Sequence, residues 1–112
     1  MNELLRRAER NLAMGLIDQA ERLFQQVLEG DPRNAIATMG LARVAGERGD
    51  DRAAFDLASR AVDLDPANAA AVAFAVRLRE ILAGRGQAVD LPPSLRSSRK
   101  GVLDRLFRRR GG

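Results

Sequence analysis

Apolar residues over the first three quarters of the chain recur at helical spacing, and short breaks divide them into five runs. Leu5, Ala8 and Leu12 share one face of a first helix, and Ala20, Phe24, Val27 and Leu28 share one face of a second. Gly15 stops the first, with Leu16 and Ile17 in the turn and Asp18 placed to cap or charge the next start. Gly30, Asp31 and Pro32 end the second, because proline cannot continue the preceding hydrogen-bond ladder and drives its neighbour out of the helical region. The plan then recurs. Residues 35–47 predict a helix with Thr38, Leu41, Ala42 and Ala45 inward, and Gly49 and Asp50 make its turn. Residues 53–64 follow with Ala54, Leu57, Ala58, Ala61 and Val62 inward, closed by Asp65 and Pro66. A fifth helix is predicted over residues 68–83, stopping at Gly84, Arg85 and Gly86.

The recurrence has a fixed period. Gly15 returns as Gly49, Ala20 as Ala54, Asp31 and Pro32 as Asp65 and Pro66, and Asn34 as Asn68, each pair 34 residues apart. Gly15, Ala20, Phe24, Val27 and Pro32, followed by Ala42, Gly49, Ala54, Ala61 and Pro66, resemble the tetratricopeptide repeat, a 34-residue helix-turn-helix unit. The resemblance covers residues 2–83, about two and a half repeats. It departs from the family pattern where Leu4 and Thr38 replace the large early aromatic, where Asn11 and Ala45 replace the usual tyrosine, and where Ala58 stands at the place of Phe24.

What the resemblance implies is an all-α fold, a right-handed superhelix whose first helices line a concave groove for a peptide or a partner's helix. The implied groove positions are Asn2, Leu5, Glu9 and Leu12, then Ile36, Met39, Arg43 and Glu47, then Ala73, Arg77 and Glu80. Arg43 and Arg77 lie one period apart, and an acidic ligand could bridge them through charge-assisted hydrogen bonds. The plainer expectation is that each pairs within its own helix, with Glu47 at i+4 and Glu80 at i+3. Leu5 and Glu9 occupy two places of the lysine and asparagine clamp with which some family members hold chaperone carboxyl termini, so that activity is not expected.

The fifth helix is apolar nearly all the way round from Ala69 to Val76, whereas the terminal helix of a repeat array normally turns a polar face outward. A second copy of the chain, in a homodimer, or the protein's own tail could cover it. Exposed alanine, which costs little, is the plainer account.

Composition narrows the chemistry. The 112 residues include no His, Cys, Trp or Tyr, which removes imidazole and thiol nucleophiles, disulfides and Cys/His metal sites. Asp50 and Asp51 are adjacent carboxylates, but after Gly49 they read as helix caps and dipole partners. No catalytic residue, cofactor or metal is expected. The chain opens on charged residues without a secretory pattern, and its longest apolar run is eight residues, so the expected location is the cytoplasm.

The net charge of +4 divides unevenly. From Pro92 onward seven basic residues face Asp104 for a net of +6, leaving −2 on the first 91 residues. Residues 85–100 read as a flexible linker and residues 101–112 as a basic amphipathic tail beyond a repeat domain over residues 1–84. In the tail Val102, Leu103, Leu106 and Phe107 fall on one side of a short helix, while Arg105, Arg108, Arg109 and Arg110 crowd the remainder. An anionic membrane surface, nucleic acid held through its phosphates, or a docking groove on a protein are the attachments this segment could make. The expected function is a non-catalytic adaptor that binds a protein segment in the groove. The alternative is a peripheral membrane or nucleic-acid binding module acting through the tail.

Overall fold

A computed structural model describes residues 2–91, which form five helices: α1 (Glu3–Ala13), α2 (Ile17–Gly30), α3 (Ala35–Glu47), α4 (Asp51–Leu64) and α5 (Ala69–Gly84). Each packs on the next, and α1 also touches α3, so the pairs α1–α2 and α3–α4 stack with α5 opening a third unit. Among the described residues there is no strand, and no helix is long and apolar enough to cross a membrane. The linker beyond Leu91 and the basic amphipathic tail expected over residues 101–112 lie outside the described residues.

Helix starts are set by side-chain caps. The Oδ1 atoms of Asn2, Asn34, Asp50 and Asn68 accept from the backbone N–H groups of Leu4, Ala37, Ala53 and Ala71 at 2.7, 2.9, 3.1 and 3.1 Å. The pair Asn34 and Asn68 therefore repeats in geometry as well as in sequence. Helix α2 is the exception: Leu16 stands at its N-cap with no side-chain bond, and Asp18 lies in the first turn. Helix α4 starts at Asp51, two residues earlier than the apolar pattern suggests, because Asp50 supplies the cap.

The turns between first and second helices are equally regular. Gly15, Gly49 and Gly86 have φ of 79°, 79° and 78°, the left-handed region in which a Cβ is strained. Each turn is closed by a bond from the next N–H to the carbonyl five residues back: Leu16 to Asn11 at 2.8 Å, Asp50 to Ala45 at 3.0 Å and Gln87 to Leu82 at 2.7 Å. Helix α5 thus ends as α1 and α3 do, three residues later than the 34-residue period requires.

Residues 87–91 then run back onto the helices. Leu91 is 6% exposed within a core formed by Ala42, Phe55, Val62, Leu78 and Leu82, Val89 packs against it, and Arg79 Nε donates to the Val89 carbonyl at 3.2 Å. The stretch expected to be flexible from residue 85 is therefore packed as far as Leu91.

Nine of the nineteen buried hydrophobic residues are alanine, which lets the helices approach closely and leaves bulk to a few side chains. Phe24 is fully buried in the first core beside Leu5, Leu12 and Val27. Its ring fills the space that a Cβ on Gly40 of α3 would need. A glycine inside a helix costs about 1 kcal/mol relative to alanine, and this packing is what holds it there. One period on, the sizes are exchanged: Ala58 stands at the place of Phe24, and Phe74 at the place of Gly40. Phe55, one turn before Ala58, fills the second core.

Candidate functional site

Helices α3 and α5, the first helices of the second and third units, open onto a cleft of about 480 Å³ that also includes Asp51 at the start of α4. From α3 come Met39, Arg43, Gly46 and Glu47, spaced so that they fall on one stripe. From α5 come Ala70, Ala73, Phe74, Arg77, Leu78 and Ile81. Gly46 matters for shape: a Cβ there would stand 3.3 Å from Phe74 Cζ, so the missing side chain leaves the ring its place on the floor.

Five of the positions implied by the family resemblance, Met39, Arg43, Glu47, Ala73 and Arg77, line this cleft. Leu5 and Leu12 do not. They are 3% and 7% exposed in the first core, because the stripe that α1 turns toward α2 cannot also face the groove. Ile36 and Glu80 are exposed on the same helices outside the lining, and Asn2 caps α1. The residues not anticipated are Gly46, Asp51, Ala70, Phe74, Leu78 and Ile81. Phe74 carried a readable signal, since the 34-residue register sets it opposite a glycine one unit earlier.

The ion pairs differ from those expected within single helices. Arg43 Nη1 donates to Glu9 Oε2 of α1 at 2.8 Å, not to Glu47. Glu9 and Arg43 hold the same position in successive repeats, so the bond spans one period. Arg77, the third member of the row, does not pair with Glu80. Its guanidinium carbon lies 5.2 Å from the centroid of the Phe74 ring, a cation–π contact. Asp51 is engaged by Arg85 Nη1 at 2.7 Å, whereas Glu47 makes no ion pair among the described residues.

On the other side of α3, Arg48 forks to Glu21 and Asp18 at 2.8 and 2.5 Å. Hydrogen bonds first to Glu21 and then to Asp18 hold its guanidinium further above its usual value. The group is charged at every accessible pH, and the fork ties the end of α3 to α2.

The cleft can therefore offer an apolar floor of Met39, Ala73, Phe74 and Ile81 with one stacked arginine and one free carboxylate at its sides. This is recognition chemistry: it joins shape to a few placed charges. A model of the tetratricopeptide repeat matches residues 5–69, more than half of the sequence. A search among curated proteins finds no match. Repeats of this kind serve protein–protein interaction and are typically non-catalytic. With its Asn34 and Asn68 caps and its Gly15 and Gly49 turns recurring at the 34-residue step, the chain belongs to the tetratricopeptide repeat family.

Proposed function

We propose that this chain is a non-catalytic adaptor that holds a peptide or helix of another protein in the cleft between α3 and α5. The observation that carries the reading is the apolar floor of Met39, Ala73, Phe74 and Ile81 beside Arg77 and Glu47, on the first helices of two successive units. Ile81 is 37% exposed, high for a large apolar side chain, and a partner's apolar residue would remove it from water. The setting proposed is the cytoplasm.

The residues beyond Leu91 supply the second attachment in this reading. They carry +6 against −2 on the first 91, so affinity for an acidic protein, an anionic membrane or nucleic acid would reside there. Two weak attachments on one chain raise avidity without new contacts. The competing reading makes the basic segment the active part and the repeats a carrier.

A photo-crosslinking residue placed in the full chain at Ala73, at Leu106, or at the outward Arg60 of α4 separates the two. The groove reading expects one protein captured from position 73 and not from position 60. Capture of lipid or nucleic acid from position 106, with nothing from position 73, would establish the other.

A further inference from the structure

The row formed by Glu9, Arg43 and Arg77 reads acid, base, base at one position of three successive repeats. Glu9 already satisfies Arg43 at 2.8 Å. Arg77 has no carboxylate: Glu80 on its own helix and Glu47 in the same cleft both leave it unpaired, and among the described residues its contact is the face of Phe74. A ring contact occupies one side of the guanidinium and takes up none of its carboxylate-binding capacity, and no hydrogen bond from Arg77 is made among the described residues. Its N–H groups are the donors that fit a carboxylate in a bidentate pair, and the ring contact limits where the side chain can lie.

Resting on the groove reading above, we propose that the cleft selects its partner by an aspartate or glutamate side chain that pairs with Arg77, next to a bulky apolar side chain that packs on Met39, Ala73 and Ile81. The two arginines are not equivalent in this scheme. Arg43 is bound within the molecule to Glu9, so the ligand's carboxylate supplies Arg77 with the partner that the row itself does not provide. The charge pattern thus sets register, because an apolar segment without the acid could slide along the floor.

The test is selection of displayed peptides, embedded so that they have no free carboxyl terminus, on the full chain and on Arg77→Gln, Arg77→Lys and Ala73→Arg. For the unaltered chain the expected result is enrichment of an acid at a fixed distance from a large apolar residue. That preference should fall roughly three- to tenfold with Arg77→Gln, the range for a partly exposed charge pair, and recover in part with Arg77→Lys. Acid enrichment that is absent, or equally strong with Arg77→Gln, overturns the proposal. The second result would trace the acid preference to the basic residues after Leu91. Peptides that bind the Ala73→Arg chain undiminished overturn the groove reading itself. Circular dichroism of each variant confirms the fold, which an exposed residue 77 does not support.

Discussion

Glu9 and Arg43 occupy the same place in successive repeats and bond to each other at 2.8 Å, so the period of the sequence is also the reach of a side-chain contact. The pair is partly exposed, 41% at Arg43 and 35% at Glu9, and links α1 to α3. Glu9→Gln is expected to cost about 0.5–1 kcal/mol in urea unfolding at low salt, and less at high salt. Exchanging the two, Glu9→Arg with Arg43→Glu, should restore most of the loss, as a double-mutant cycle would show.

Gly40→Ala should destabilise even though alanine is the better helix former. The new Cβ overlaps the Phe24 ring, which is fully buried and has no room to retreat. The propensity gain of about 1 kcal/mol is then outweighed by overpacking of about 1–3 kcal/mol. Gly30→Ala provides the contrast, because nothing lies within 4 Å of its Cβ position. Thermal unfolding of both variants should shift in opposite directions, and Phe24→Leu should relieve part of the Gly40→Ala defect.

Leu91→Ala is expected to lower stability by about 1–3 kcal/mol, the lower part of the range for a buried leucine, because its site lies at the end of the core. Amide exchange should show the loss in α5, where Leu78 and Leu82 share the cluster with Leu91. An unchanged exchange pattern in α5 would mean that residues 87–91 add nothing to its stability.

Ala73→Arg and Ile81→Asp should abolish capture of a groove partner with little change in unfolding, since both residues are exposed. Substitution at Arg60, on the outer side of α4, should leave capture intact. A binding titration with the partner identified by crosslinking gives the readout.

Helices and turns were legible in the sequence because their causes are local: proline after Asp31 and Asp65 and glycine at 15 and 49 act within a few residues of themselves. Of the caps only Asp50 was read as one; Asn34 and Asn68 stood out as repeat markers, and Asp18 lies in the first turn of α2 with Leu16 at its N-cap. The groove was legible by half. Met39, Arg43, Glu47, Ala73 and Arg77 follow from repeat position alone. Leu5 and Leu12 went to the core instead, because on α1 the positions that read as groove are the same stripe that packs on α2. Phe74 escaped notice because its signal is a comparison between repeats, a ring at the place of Gly40, and because the room for it comes from the missing side chain of Gly46. The pairing of Arg43 with Glu9 was hidden for a similar reason, since helical i+4 logic points to Glu47 while the stacking of repeats brings a nearer acid.

The exchange of sizes between Phe24 with Gly40 and Ala58 with Phe74 bears on lengthening this protein by recombination. Copying residues 35–68 in tandem would set a second Gly40 against Ala58, leaving Phe55 but not Phe74 at a junction where the natural chain has both. The added unit would lack the ring that Phe74 sets beside the groove at the natural junction. The portable module of this chain is instead the junction, a second helix with the first helix that follows it, and any extension has to transplant α2 together with α3 or put a ring back at the duplicated glycine.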